Sequence, residues 1–171
     1  FTITWGTQTS TDDSEGEIKF QSNNLPNLDE INTKIKKFIG FINQIPPKVS
    51  AVKINGERAY KLFRKSEIFK MSSRKVFVKN LEVIKHKHHE TDFKIECGKG
   101  FYIRSLARDL GRNLKTFGHI SYLQREKVGK FEAKSSILLD DLLKIGQRLH
   151  EINCFTSSIS MLDDILAYEV D

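Results

Sequence analysis

Five apolar residues, Ile103, Leu106, Ala107, Leu110 and Leu114, recur three and four positions apart, the spacing that lines one face of an α-helix. The stripe opens just after Gly98-Lys99-Gly100 and closes near Gly118, so glycines punctuate both of its ends. A helix with one apolar face has to be laid against another layer, and the flanking sequence offers strands. Residues 76–87 and 93–97 read as two strands joined by a polar connection and paired antiparallel. The alternation of strands and helices is mixed rather than regularly βαβ. It specifies an α+β fold on a mixed, mostly antiparallel sheet.

The remaining elements follow from local chemistry. Residues 1–5 alternate bulky and small side chains up to Gly6, and the polar run 9–16 returns into residues 17–20, a strand, loop, strand unit. Asn27 with Glu30 three positions later forms a capping-box pattern, and Leu28, Ile31, Ile35, Phe38 and Ile39 share one helical face, predicting a helix over 28–39. Ile45-Pro46-Pro47 breaks any helix. A strand over 49–54, an Asn55-Gly56 tight turn and a helix over 58–67 are expected next. Residues 119–123 and 128–131 suggest a strand pair, 137–149 a helix, and 159–168 a short acidic helix. The organisation expected is one main domain over 1–145 and a short C-terminal helical segment over 146–171.

The net charge of +6 and pI near 9.3 point to a polyanionic partner. Residues 48–87 hold twelve Lys and Arg against three acids, whereas 140–171 hold two against seven, so the positive charge is concentrated in one segment. No apolar run is long enough to cross a bilayer, and Cys97 and Cys154 form no metal-type pair. A soluble, reducing, cytoplasmic setting is expected. Because the chain opens as a strand already under way, with no Met or leader, an upstream piece is expected too. His86, His88 and His89 could share a strand face, but without nearby acids or thiols they read as an extension of the basic surface rather than as a metal site.

Two stretches bear on chemistry. In residues 97–111, Tyr102 and Arg104 fall at the corner between a strand and the striped helix, and with Ile103 starting the buried stripe they project elsewhere. They either line a site or serve as a packed ring and a surface ion pair. In residues 45–65, Lys53, Arg58, Tyr60, Lys61, Arg64 and Lys65 interleave cations with aromatics. That composition suits a phosphate backbone with stacked bases, or equally an ordinary exposed helix.

These stretches resemble the bacterial tRNA pseudouridine synthase B (TruB) family. The matching motifs are Trp5-Gly6 through Thr11-Asp12-Asp13-Ser14-Glu15-Gly16, Pro46-Pro47 through Ser50-Ala51-Val52-Lys53 and Gly56-Glu57-Arg58-Ala59-Tyr60, the run from Gly98 to Gly111, and Gly118-His119 through Leu123, Arg125 and Val128-Gly129. They occur in the family's order. The resemblance implies an incomplete pseudouridine synthase catalytic fold, and isomerisation of the T-loop uridine of tRNA (position 55) without metal or organic cofactor. It also implies a flipped target base.

In the family's pattern Tyr102 packs along the base, Arg104 holds the catalytic carboxylate ionised and aimed, Leu123 forms an apolar wall, and Asp13 anchors Arg104. The basic segment at about 46–75, with Lys53, Arg58, Tyr60, Lys61, Arg64, Lys65, Lys99 and His119, is the implied RNA contact. One departure stands out: the family's catalytic aspartate lies in a Leu-Asp-Pro motif, and these residues contain no Asp-Pro. Asp12, Asp13 and Asp109 sit in other contexts and are not substitutes. The expectation is that the chain is inactive alone, with an exposed sheet edge and an N-terminal polypeptide as complement. The alternatives are a non-catalytic tRNA-binding module or chaperone, or a gene remnant.

Overall fold

A five-stranded antiparallel sheet organises the first of two compact units in the computed structural model, which describes residues 1–138 and Asp140. That unit spans Phe1–Leu123, and the second begins at Gln124. The C-terminal segment over 146–171, and the helix expected over 137–149 beyond its first residues, lie outside the described residues.

In chain order the first unit contains β1 (Thr2–Trp5), β2 (Thr7–Thr9), β3 (Ile18–Gln21), α1 (Leu28–Ile35), β4 (Gly40–Gln44), β5 (Lys53–Ile54), β6 (Glu57–Arg58), α2 (Ala59–Arg64), β7 (Arg74–Lys87), β8 (Glu90–Cys97), α3 (Ile103–Asn113) and β9 (Gly118–Tyr122). The main sheet runs β4-β7-β8-β1-β9. The α+β class with a mostly antiparallel sheet is therefore as expected.

One face of this sheet carries the core. Ile3 and Trp5 of β1, Val78 and Leu81 of β7, Phe93 of β8 and Ile120 of β9 meet Ile31 and Ile35 of α1 and Leu106, Ala107 and Leu110 of α3. Each large apolar side chain buried this way contributes roughly 1.5–3 kcal/mol. The helices form where expected because their ends are satisfied. Asn27 accepts from the Glu30 backbone N–H at 2.9 Å and the Glu30 carboxylate accepts from the Asn27 N–H at 2.9 Å, the reciprocal capping box. The α-helix is shorter than the apolar pattern, with its last turn tightened to a 3₁₀ turn at Lys36–Phe38.

The strand partners are the part of the fold that the reading of the sequence left open or, for 119–123, assigned otherwise. β1 does not pair with the segment after the polar loop; it lies between β8 and β9, while β2 pairs with β3 as a separate ribbon. β4, whose five residues carry no pattern beyond Phe41-Ile42 between polar neighbours, was not foreseen and forms an edge of the main sheet against β7. Residues 119–123 do not pair with 128–131. β9 joins β1, and the second unit forms its own hairpin, β10 (Lys127–Val128) with β11 (Phe131–Glu132). Alternation identifies a strand, but partners are chosen by long-range packing that local sequence does not encode.

The expected strand over 49–54 contracts to β5, which pairs with β6 across Asn55-Gly56. Asn55 and Gly56 have φ of 50° and 88°, the left-handed pair a two-residue hairpin requires. No helix of the described residues is long and apolar enough to cross a membrane.

Candidate active site

The corner between β8 and α3 is held by the last residue of β4 and the one that follows it. Gln44, only 2% exposed, presents its amide to the backbone of Tyr102. Its Oε1 accepts from Tyr102 N–H at 2.9 Å and its Nε2 donates to Tyr102 C=O at 3.1 Å. Tyr102 is the residue before α3, where a polar side chain would normally cap the helix, and Gln44 fixes its backbone from across the sheet instead. One turn in, the Ser105 hydroxyl donates to Ile45 C=O at 2.8 Å. The chain around Pro46-Pro47 is thereby stitched to the first turn of α3.

Arg104 projects from that turn into a ring of acceptors. Nη1 donates to Asp13 Oδ2 at 3.1 Å and to Thr11 C=O at 3.2 Å, and Nη2 donates to Val49 C=O at 2.8 Å. Asp13 is oriented in turn, accepting at Oδ1 from the Thr11 hydroxyl and the Glu15 N–H. The guanidinium thus joins two segments separated by more than thirty residues in the chain. It is 25% exposed, so it is shielded yet reachable. Its five N–H groups meet three acceptors among the described residues, so the guanidinium keeps donor capacity for a further acceptor.

One helical turn along, Arg108 repeats the arrangement. Its Nη1 lies 3.3 Å from Asp12 Oδ2, Nε donates to Asp109 Oδ1 at 2.9 Å, and Nη2 donates to Ile45 C=O at 2.7 Å. Asp12 also accepts from Gln8 Nε2 at 2.9 Å. Burial raises the Asp12 carboxyl above its ordinary value, opposed by the Gln8 hydrogen bond and then by the charge of Arg108. Asp12 adopts φ of 62°, so the tight turn sends Asp12 and Asp13 to consecutive arginines. Arg108, Gln8 and Gln44 were not among the residues singled out from sequence. The signal for the first was present, since cations at 104 and 108 share a helix face opposite two adjacent acids.

The other candidates separate. Tyr102 is half-buried and packs on a small cluster of Val52, Ala59 and Met71, which ties the corner to the basic segment. Leu123 stands exposed at 52%, just after β9. Lys53, Arg58, Lys61, Arg64, Lys65 and Lys99 are exposed, whereas Tyr60 is half-buried. The Arg64 guanidinium lies 5.6 Å from the Tyr60 ring centre, and Arg58 donates to Ala51 C=O at 3.2 Å. Lys65 is engaged by Glu57 at 2.8 Å. His119 is half-buried, with Nδ1 3.1 Å from both the carbonyl and the hydroxyl of Thr7. A carbonyl only accepts, so Nδ1 is the donor in that contact. His86 Nδ1 is bonded to the buried Thr91 hydroxyl at 2.8 Å, and among the described residues no group of three metal-ligating side chains converges.

The chain matches the TruB family pseudouridylate synthase N-terminal domain over residues 1–103 and the tRNA pseudouridylate synthase B C-terminal domain over residues 104–167. It is 46% identical over 144 residues to a tRNA pseudouridine synthase B of Ehrlichia ruminantium, covering 83% of this chain and 49% of that protein. Its identity to the same-named protein of Wolbachia pipientis is 44% over 158 residues, covering 91% and 45%. The chain therefore spans about half the length of the curated relatives it matches.

Among solved structures it resembles a chain of a Cbf5-Nop10-Gar1 complex, with a TM-score of 0.59 at 25% identity over 88% of this chain and 36% of that one. A chain of an H/ACA RNP bound to a substrate RNA gives 0.56 at 20% identity over 90% and 37%, a likeness of fold alone. A family match over residues 1–103, more than half of the chain, leads to one conclusion: the chain belongs to the TruB family of pseudouridylate synthases.

Proposed function

We propose that this chain is the arginine-bearing, RNA-gripping part of a tRNA pseudouridine synthase that converts the T-loop uridine (position 55) to pseudouridine. The observation that supports this reading most is Arg104, clamped by Asp13, Thr11 and Val49 while it keeps donor capacity for a further acceptor. Isomerisation breaks the bond from C1′ to N1, turns the uracil and rejoins C1′ to C5. The C5 proton leaves and N1 gains one, so atoms balance without an added reactant. A carboxylate that attacks the sugar or the base must be ionised and aimed, and a guanidinium held from behind does both. Tyr102, fixed through its backbone by Gln44, would flank the base, with Leu123 as an apolar wall. The exposed cations of 46–75 would hold the phosphates of the T-loop arm.

The 171 residues contain no Asp-Pro, so on this reading the attacking carboxylate is not among them and the chain alone turns nothing over. The test is tritium release from tRNA labelled at uridine C5. The chain alone should release none. A fusion carrying the part of the Ehrlichia ruminantium relative that this chain does not match should release it from position 55, and Arg104→Lys should lower that release about a hundredfold or more. Release by the chain alone, or a fusion indifferent to Arg104, would overturn the proposal. The absent Asp-Pro also favours a second reading, a tRNA-binding module or chaperone. Its signature is steeply salt-dependent tRNA binding with no product in the fusion.

A further inference from the structure

The outer face of the sheet, opposite the core, carries an aromatic pair that the site does not use. Phe41 of β4 and Phe77 of β7 are directly opposed in register, with ring centres 4.9 Å apart and planes tilted by 47°. Their neighbours Ile42, Val76 and Val78 point to the other face and into the interior, so alternation places both rings outward. Phe41 is 70% exposed and Phe77 38%. Large apolar side chains grouped on a surface generally mark a contact.

The surroundings of the pair narrow its occupant. Lys75, two residues from Phe77 on the same face, holds its ammonium 4.8 Å from the Phe41 ring centre. Among the described residues Lys75 forms no ion pair, and Glu96 on β8 is bonded to Lys79 at 2.8 Å. On the far side of Phe77 stands Gly98, whose N–H donates to Phe77 C=O at 2.9 Å. Having no side chain, it leaves that flank of the ring open. Two exposed rings with an ammonium over one of them match a base and its phosphate. They suit a protein strand less well, since such a strand would have to bury the ammonium.

We propose that Phe41, Phe77 and Lys75 form a stacking platform for one unpaired nucleotide of an RNA strand. In the free protein the ammonium covers the ring through a cation–π contact. When a base stacks on Phe41, the lysine swings to that nucleotide's phosphate. The inference rests on the RNA-handling reading of the chain and adds a contact on the outer sheet face, where the basic segment ends. Stacking reads no base edge, so the platform accepts any base.

The experiment uses the full chain and a single-stranded oligouridylate carrying one 2-aminopurine, whose fluorescence is quenched on stacking. The wild-type chain should quench the probe. The Phe41→Ala, Phe77→Ala double variant should lose the quenching and bind about tenfold more weakly. Lys75→Ala should keep the quenching but lower the salt dependence, log K against log salt, by about 0.7. A double variant that quenches and binds as wild type would overturn the platform. So would a wild-type chain that self-associates where the double variant is monomeric, since the rings would then cover a second copy. If the wild-type chain binds neither the oligonucleotide nor tRNA, the RNA-handling reading fails as well. If the double variant keeps full affinity for both, only the platform fails.

Discussion

Asp12 and Arg108 face each other at 3.3 Å, one helical turn from the Asp13 and Arg104 pair. The two acids are adjacent in one tight turn, and the two arginines are four residues apart on α3. The turn therefore cannot shift along the helix without breaking both pairs. Arg104 is aimed by Asp13, and Asp13 is kept in place by its neighbour.

That coupling bears on Arg104 itself. Arg104→Lys replaces a fork that meets three acceptors with a single ammonium. In the fusion that supplies a carboxylate, kcat is expected to fall by about a hundredfold or more, with circular dichroism unchanged. A loss confined to KM would show that Arg104 binds RNA rather than stabilising the reacting carboxylate.

Asp12 should leave a mark on stability against pH. Its carboxyl is raised above 3.8, by burial first, so the folded chain binds this proton more tightly than the unfolded one. Stability from this group is fully present below the ordinary carboxylate value and is lost as pH rises through the raised one. The unfolding free energy of wild type relative to Asp12→Asn should therefore fall with rising pH across that window and then level off. Urea titrations of both proteins between pH 3 and pH 8 measure it. A difference that grows with pH would show that Arg108 outweighs burial.

Gln44→Leu keeps the size of the side chain but strips both hydrogen bonds from the Tyr102 backbone. The Tyr102 N–H then has no partner, while its C=O keeps the Leu106 N–H at 3.1 Å, so the chain should be destabilised by about 1–3 kcal/mol. Chemical denaturation reads the loss. In the fusion, kcat should fall as well, although Gln44 is far in sequence from Tyr102.

Gly111→Ala tests the packing of α3 against the turn that leads into β9. An added Cβ would lie 2.9 Å from Gly118 N and 3.0 Å from the Phe117 carbonyl carbon, both backbone atoms that cannot swing aside. Alanine gains about 1 kcal/mol in helix propensity, but the clash should win, for a net loss of about 1–2 kcal/mol. A raised melting temperature would mean that the turn gives way.

Within the basic segment, Lys61→Ala should weaken tRNA binding more than Lys65→Ala. Lys65 is already neutralised by Glu57 at 2.8 Å, so its release to a phosphate has to break that pair. Fluorescence titration at two salt concentrations checks the order, with the salt slope falling by about 0.9 for Lys61 and by less for Lys65.

What was legible in the sequence was local. The α3 stripe, the Asn27 and Glu30 capping box and the Asn55-Gly56 turn each depend on residues a few positions apart, and each formed as its spacing dictated. The glycines before the stripe also put Tyr102 and Arg104 at a strand-to-helix corner, and the family resemblance implied Asp13 beside Arg104. Tertiary structure alone decided which strands are neighbours. β1 sits between β8 and β9 and β4 forms an edge, because pairing partners are selected by the shared burial of Ile3, Val78, Phe93 and Ile120 rather than by any one strand's pattern. It also decided that Gln44 holds Tyr102 across 58 residues and that Arg108 backs Arg104 through Asp12. A buried polar atom must be satisfied by whatever partner the fold brings near, and sequence spacing does not record who that partner is.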